Sequence, residues 1–111
     1  MLRGGPYQTE RWETAYGIAN AALKRSDSVM IFLYMDGVYN ALSTEDFSAI
    51  KRLPKDHLDS LLDHGAQIYA CATCTDNRGL EEGKNYLKRV QVTGATQASE
   101  MVSKCERVIN L

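Results

Sequence analysis

The chain has 111 residues, of which 44% are hydrophobic, and its 13 lysines and arginines nearly balance 14 aspartates and glutamates, for a net charge of −1. This length fits one domain with a modest core and is too short for two domains of ordinary size. The balanced charge argues against nucleic acid or an anionic membrane as the main partner. No apolar run reaches the length of a membrane span, and the first ten residues, MLRGGPYQTE, lack the hydrophobic stretch of a signal peptide. We therefore expect a single cytoplasmic domain over residues 1–111, with no nucleic-acid or membrane partner.

The first half of the chain predicts a helix followed by a buried strand. After a Gly-Pro turn, apolar residues recur at helical spacing through TERWETAYGIANAALKRSD, with Thr9 available as the N-cap. The next segment, SVMIFLYM, is apolar without alternation, which is typical of a strand covered on both faces of a parallel sheet, and it stops at Asp36 and Gly37. Residues 38–54 are mixed in character and predict no clear element.

The second half of the chain alternates helices and strands. A helix is predicted in KDHLDSLLDHG, where Gly65 suits the C′ position, and a strand in AQIYAC. Further along, LEEGKNYLKR predicts a short helix weakened by its glycine, VQVTG a strand, TQASEMVSKCE a helix and RVINL a closing strand. Strands separated by helices require right-handed crossovers and a parallel sheet covered on both faces. We expect a three-layer α/β/α fold with a mostly parallel sheet of about five strands. Only Met1–Arg3 precede the GGPY loop, so either the first strand is very short or the chain starts late.

The cysteines are the main candidates for chemistry. Their number is odd, three, and without an export signal they fit reduced thiols better than a disulfide framework. Two of them, Cys71 and Cys74, lie in the stretch YACATCTDNRGL. In an open parallel sheet, ligands bind among the loops at the carboxyl ends of the strands. If AQIYAC is a strand, Cys71 lies at that rim together with Asp36 and Gly37, and the GGPY loop, which contains Tyr7, reaches it too.

The reactivity of a cysteine depends on its thiolate fraction, which grows when cations or the N–H groups of a helix N-terminus lower the pKa. Arg78 is close enough in sequence to fold back over Cys71, and the short helix predicted after Gly79 is a second candidate for stabilising that thiolate. Lys84 is a weaker one. The alternative is that Cys71 is a small buried hydrophobe at a strand end. The residues alone leave both interpretations open.

Other cysteine sites fit the sequence less well. The C-x-x-C pair could be half of a zinc site, but no second pair exists, and Cys105, His57 and His64 show no ligand spacing, so no metal site is expected. A thioredoxin-like dithiol normally works beside a cis-proline, and both prolines lie far from this pair in sequence, although Cys74 could still resolve a species formed on Cys71. We expect Cys105 in the core and the two histidines on solvated helix faces.

Several motifs in order resemble a known family. GPYQTER, then a helix, an apolar strand ending MDGVYNAL, the passage LLDHGAQIYACATC, RGL and a closing ERVINL resemble the DsrE/DsrF-like family of sulfur-relay proteins over nearly the whole chain. The resemblance implies an α/β/α domain of flavodoxin-like topology that forms homo- or hetero-oligomers, often trimers or hexamers. In the best understood members, a cysteine carries sulfur as a persulfide between partner proteins and lies eight residues before the glycine of an arginine-glycine turn. Cys71 precedes Gly79 by this spacing and so matches that cysteine.

The resemblance implies a set of site residues. Cys71 would take sulfur from a donor protein and pass it to an acceptor protein without a cofactor, with Arg78 and turn N–H groups stabilising the anionic persulfide. Cys74 corresponds to a position that is often alanine in the relay subunits and cysteine in many stand-alone members, so the reactive thiol is Cys71, Cys74 or the pair. The residues expected to support the site are Arg78, Gly79, Asp36, Gly37, Gly5 and Tyr7.

Three hypotheses for the function follow. The first is a sulfur carrier of this family, working as a homo-oligomer with donor and acceptor proteins. The second is a C-x-x-C redox element, in which a persulfide on Cys71 is discharged by Cys74 to leave a disulfide. The third is a non-catalytic oligomeric binding module of the same fold, in which both thiols react slowly.

Overall fold

Helices and strands alternate along the chain in the order typical of an α/β protein. A computed structural model describes residues 1–44, 54–82 and 84–111. Its elements are α1 (Arg11–Lys24), β1 (Met30–Leu33), a 3₁₀ helix (Met35–Ala41), α2 (Pro54–Asp63), β2 (Gln67–Cys71), α3 (Ala72–Asp76), β3 (Gln91–Thr93) and α4 (Ala95–Lys104). No helix in these ranges is long and apolar enough to cross a membrane.

The three strands form one parallel sheet in the order β1-β2-β3. The register of the first pair sets Ile31 opposite Ile68. Beyond β1, Leu2 adds a single parallel bridge to Leu33, made by hydrogen bonds with the backbone groups on either side of Leu33. The expected first strand is therefore present only as this one bridge.

The core lies between the sheet and the first two helices. The buried residues of this cluster include Trp12, Ala19, Ile31, Leu33, Leu58, Leu61, Ile68 and Ala70. Full burial of a leucine side chain stabilises a fold by about 1.5–3 kcal/mol, so Leu58 and Leu61 hold α2 against the sheet. Alternate residues of β1, Met30 and Phe32, line a groove with residues of α4, which places α4 on the opposite face. The predicted three-layer α/β/α fold class is confirmed.

The predicted number of strands, about five, is wrong for the described residues, which contain three strands. The segment before the Gly-Pro turn is too short for a ladder. The closing RVINL segment is not a strand either. Its last residue, Leu111, donates its N–H to the carbonyl of Met1 and accepts from the N–H of Arg3, at 2.9 Å each, without a continuous ladder.

Two local predictions also differ from the structure. The segment LEEGKNYLKR forms turns rather than a helix, since the side chain of Asn85 accepts the N–H of Glu81 at 2.8 Å and competes with helical hydrogen bonding. Residue 83, within it, lies outside the described residues. Thr9 is not the N-cap of α1, which begins after Glu10, although the Thr9 hydroxyl accepts the N–H of Arg11 at 3.4 Å.

Two predicted boundaries agree with the structure, and part of the unassigned segment is helical. Gly65 follows α2 with a φ of 92°, the left-handed conformation expected of a C′ glycine. β2 ends at Cys71 as the AQIYAC segment predicts. Of the unassigned segment 38–54, residues 38–41 complete the 3₁₀ helix, and residues 45–53 lie outside the described residues.

Candidate functional site

Three loops meet at the carboxyl ends of the strands. The side chain of Asn40, fully buried, donates to the carbonyl of Gly4 in the first loop at 2.8 Å and to the carbonyl of Gly37 at 2.9 Å. A Cβ on Gly37 would lie 2.2 Å from the carbonyl oxygen of Leu2, so only glycine fits there. The structure thus brings the first loop and the Asp36-Gly37 turn together, and Cys71 ends the neighbouring strand at the same rim.

Cys71 is both the last residue of β2 and the N-cap of α3. Its Sγ accepts the backbone N–H of Cys74 at 3.4 Å, and the thiol is half-buried. Burial raises the pKa of Cys71, the hydrogen bond with the Cys74 thiol raises it further, and the Cys74 N–H opposes both. Of the two interpretations that the residues left open, the raised pKa is the one expected of a cysteine partly buried at a strand end. The helix that follows Cys71 directly has only five residues. The guanidinium of Arg78 donates to Asp36 and to the carbonyl of Cys74 rather than to the Cys71 sulfur.

Cys74 receives a hydrogen bond of its own. Its Sγ accepts the backbone N–H of Met35 at 3.2 Å, which links the cysteine turn to the loop that follows β1. Met35 has a φ of 53°, a left-handed conformation uncommon outside glycine, and 53% of it is exposed. The sulfurs of Cys71 and Cys74 thus both accept from the backbone, Cys71 from within its own turn and Cys74 from the neighbouring loop.

Arg78 folds back over the cysteine turn, towards Cys74 rather than Cys71. One nitrogen, Nη1, donates to the carbonyl of Cys74 at 3.0 Å, and Nε and Nη2 both donate to Oδ1 of Asp36, at 3.1 and 2.6 Å. The guanidinium also lies 5.9 Å from the ring centre of Tyr39, within cation–π range. Asp36, by hydrogen bond and charge, raises the pKa of Arg78. Lys84, the weaker candidate, pairs with Glu81 at 3.3 Å.

The other predicted site residues have backbone roles. Gly79 has a φ of 65° in the turn after α3, where its N–H donates to the carbonyl of Asp76. The N–H of Gly5 donates to the side chain of Gln8 at 3.2 Å, and it is the carbonyl of Gly4, not that of Gly5, that accepts the hydrogen bond of Asn40. Tyr7 is 46% exposed and has a φ of 63°, so it lies on the surface of the first loop.

Sequence reasoning missed Thr75 and Tyr86. The hydroxyl of Thr75, at the fourth position after Cys71, donates to the carbonyl of Cys71 at 2.8 Å. Tyr86 Oη lies 3.1 Å from the same hydroxyl, in a buried pair. A predicted helix beginning at Cys71 would have pointed to Thr75, because the fourth residue along a helix lies above the first. No local signal pointed to Tyr86, which lies in a segment predicted to be helical.

The remaining candidates lie away from the thiols or in other surroundings. His57 is not a solvated residue: Trp12 Nε1 donates to its Nδ1 at 3.2 Å, and the ring of Tyr16 stacks on it at 4.1 Å. His64 donates to the carbonyl of Ser60 at 2.7 Å. Cys105 is half-buried at the end of α4, beside the groove on the opposite face of the sheet. Within the described parts of the chain, no three or more His, Cys, Asp or Glu residues are grouped so that they could hold a metal ion.

Comparison with known proteins agrees with this architecture. A model of the DsrE/DsrF-like family matches residues 1–111. The uncharacterized protein MK0008 of Methanopyrus kandleri is 29% identical over 109 residues, which cover 98% of this chain and 88% of that protein. Sulfurtransferase TusD of Cronobacter sakazakii is 24% identical over 125 residues, which cover 98% of this chain and 94% of that protein. The crystal structure of the ychN protein from E. coli superposes with a TM-score of 0.89 over 99% of this chain and 95% of that chain, at 19% identity, and so shows a common fold.

Proposed function

Because the chain belongs to the DsrE/DsrF-like family, we propose that it acts in sulfur relay, holding sulfane sulfur as a persulfide on Cys71 and passing it to a partner thiol. The observation that carries the proposal is the position of Cys71 at the end of β2, with the N–H of Cys74 directed at its sulfur. Similarity to a protein named sulfurtransferase TusD supports the same role.

Each transfer is a displacement at sulfur. The Cys71 thiolate attacks the outer sulfur of a donor persulfide, the donor's S–S bond breaks, and the donor thiolate leaves with the electron pair of that bond. In the second step an acceptor thiolate attacks the outer sulfur on Cys71, and the Cys71 thiolate is released. No electrons are gained or lost overall, so the cycle requires no cofactor.

The surroundings of Cys71 suit the loaded form better than the empty one. Burial and the Cys74 thiol raise the pKa of Cys71 and keep the empty residue mostly protonated near neutral pH. In the loaded form the acidic sulfur is the outer one, about 2 Å from Cys71 Sγ. A perthiol is also a stronger acid than its parent thiol. The empty thiol is therefore disfavoured as an anion, whereas the more acidic perthiol ionises more readily.

The pairing of the two thiols favours a second candidate function. Cys71 is hydrogen-bonded to both the backbone N–H and the thiol of Cys74. The Cys74 thiolate, attacking the inner sulfur of a Cys71 persulfide, would expel hydrosulfide and leave a Cys71–Cys74 disulfide. Two electrons from an external dithiol would then be needed to restore the thiols. In this scheme the protein is a redox element that releases sulfide.

The partners follow from the proposed relay. A carrier of this kind requires a protein that donates sulfane sulfur and another that accepts it. We further propose that the chain forms a homo-oligomer, a trimer or hexamer, in the cytoplasm, as the family resemblance implies. If both thiols proved inert, a non-catalytic binding module of the same fold would be the best account.

The test is the intact mass of the protein after exposure to a persulfide donor and removal of excess reagent. It is made on the parent chain and on Cys71→Ser, Cys74→Ser and Cys105→Ser. The last variant is the matched control, because Cys105 is also half-buried but lies at the end of α4. We expect a gain of one sulfur in the parent, in Cys74→Ser and in Cys105→Ser, and none in Cys71→Ser.

The alternatives give different masses. Loss of two hydrogens without added sulfur, abolished by Cys74→Ser, would favour the redox element. A gain of sulfur that only Cys74→Ser removes would move the carrier to Cys74. An unchanged mass in all four proteins would reject both sulfur chemistries.

A further inference from the structure

Two consecutive hydrogen bonds connect the carbonyl of Cys71 to a buried tyrosine. The Thr75 hydroxyl lies 2.8 Å from the Cys71 carbonyl oxygen and 3.1 Å from Tyr86 Oη. A carbonyl oxygen only accepts, so the single hydroxyl proton of Thr75 is used in the first bond. Tyr86 must then donate to Thr75, so the hydrogen bonds run from Tyr86 to Thr75 and from Thr75 to Cys71.

These two hydrogen bonds are shielded from water, and Tyr86 is held in place by its backbone contacts. Thr75 is 1% exposed and Tyr86 3% exposed, so water does not substitute for either partner. Burial raises the pKa of Tyr86, which keeps the phenol protonated and able to donate. Tyr86 forms an antiparallel bridge with Leu42, and the next residue, Leu87, donates its N–H to the carbonyl of Ala41 at 3.1 Å. The donor is thus tied to the end of the 3₁₀ helix that follows β1.

The position of the Cys71 carbonyl controls the surroundings of the Cys71 thiol. At Cys71 the chain passes from β2 directly into the first turn of α3, and the N–H that reaches its Sγ, at 3.4 Å, belongs to Cys74 in that turn. Because the carbonyl of Cys71 and the N–H of Cys74 belong to the same short turn, a rotation of this carbonyl tilts the turn. Such a tilt carries the N–H away from the sulfur that it stabilises.

We propose that Tyr86 is a positioning residue for the Cys71 thiol, acting through Thr75. The inference rests on the proposed function only for the choice of Cys71 as the reactive cysteine. Tyr86 does not touch the sulfur. It sets the direction of the Thr75 hydroxyl, which in turn holds the strand-to-helix junction in the geometry that presents the Cys74 N–H to Cys71 Sγ.

The experiment measures the rate of Cys71 alkylation by iodoacetamide as a function of pH, resolved from the other cysteines by peptide mass mapping. Tyr86→Phe removes one hydroxyl and keeps the ring in place. We expect its rate at Cys71 near neutral pH to fall about three- to tenfold, with a higher apparent pKa, because a thiolate that loses a hydrogen bond is harder to form. The matched control is Tyr69→Phe, which removes a hydroxyl bonded at 3.1 Å to Gln67 on the surface, and its profile should equal that of the parent.

Thr75 provides the second half of the test. Thr75→Val removes the hydroxyl at constant shape and should reproduce the slower profile, whereas Thr75→Ser keeps the hydroxyl and should retain the parent profile. The double variant Tyr86→Phe with Thr75→Val should alkylate Cys71 no more slowly than Thr75→Val alone, since both changes break the same series of hydrogen bonds. The comparison of Thr75→Val with Thr75→Ser remains informative even if Tyr86→Phe fails to fold.

The proposal is overturned if Tyr86→Phe lowers the melting temperature but leaves the pH profile of Cys71 equal to that of Tyr69→Phe. It is also overturned if the two changes slow the reaction additively. Persulfide loading, measured by mass on the same proteins, separates the two proposals. Absence of loading in the parent chain rejects the sulfur-carrier function but leaves the alkylation result valid.

Discussion

Gly37 provides the sharpest test of how the rim is assembled. Its position leaves no room for a side chain, because a Cβ there would lie 2.2 Å from the carbonyl oxygen of Leu2, whereas ordinary contacts of this kind begin at 3.4 Å. The obstacle is backbone, which does not rotate away as a side chain does. In Gly37→Ala, the first segment must therefore move away from the turn by about 1 Å.

That movement disrupts the one bridge between the N-terminal segment and the sheet. Leu2 donates its N–H to Phe32 at 2.9 Å and accepts the N–H of Tyr34 at 3.0 Å, and its side chain is 1% exposed. Each hydrogen bond contributes about 1 kcal/mol net, and partial exposure of Leu2 costs about as much again. We expect Gly37→Ala to lower the free energy of unfolding by about 3 kcal/mol, out of a total of about 5–15 kcal/mol that is usual for a domain.

Urea unfolding followed by circular dichroism measures this loss, and two other glycines calibrate it. Gly17 lies exposed inside α1 with nothing near its Cβ position, so Gly17→Ala should stabilise the fold by about 0.5–1 kcal/mol. Gly79 also has open space but a φ of 65°, so Gly79→Ala should destabilise it by about 1 kcal/mol through backbone strain alone. If Gly37→Ala proved as stable as the parent, the close contact between the first segment and the turn would be refuted.

Three further predictions concern the thiols and the ion pair beside them. Because burial and the Cys74 thiol raise the pKa of Cys71, its alkylation rate should keep rising from about pH 7 to above pH 8.5, and a plateau below that range would contradict the raised pKa. Because this pKa is higher in the folded chain than in the unfolded one, protonated Cys71 stabilises the fold at low pH, and the stabilisation is lost as the pH rises through the folded-state pKa. Over that pH range the urea midpoint of the parent should fall more than that of Cys71→Ser. Asp36→Asn removes the carboxylate that pairs with Arg78. The side chain of Asp36 is 49% exposed and that of Arg78 is 23% exposed. We expect less than about 1 kcal/mol of lost stability but a faster, more salt-sensitive alkylation of Cys74, and unchanged Cys74 kinetics would show that this ion pair does not influence the thiol.

Elements with a strong hydrophobic pattern were predictable from the sequence. The apolar run ending before Asp36 and the helix ending at Gly65 both appear in the structure, because burial and left-handed glycine leave clear local signals. Those two elements and the AQIYAC strand were enough to predict that Cys71 and Asp36 lie at one rim, since the carboxyl ends of parallel strands share an edge.

The environment of Cys71 was not predictable in the same way. The sequence suggested a helix after Gly79, whereas the chain turns into a helix at Cys71 itself. Burial, which raises the pKa of Cys71, outweighs the backbone N–H groups of that turn, which lower it. The segment after Gly79 failed to form a helix because one asparagine side chain, that of Asn85, bonds the backbone locally. Tyr86, in that same segment, forms a hydrogen bond with Thr75, eleven residues earlier. This contact depends on the path of the turns between the two residues.

The geometry of the two cysteines separates the two proposed chemistries. Adding one sulfur to Cys71 leaves Cys74 Sγ in place, so its bond from the Met35 N–H, now 3.2 Å, can persist. Closing a disulfide instead requires Cys74 Sγ to move to about 2 Å from Cys71 Sγ. The N–H of Met35, which is held in a left-handed conformation at φ 53°, then has to follow an acceptor that has moved. The carrier cycle therefore proceeds on a rim that keeps its hydrogen bonds, whereas the redox cycle must remake the contact between the cysteine turn and the loop after β1 in every turnover.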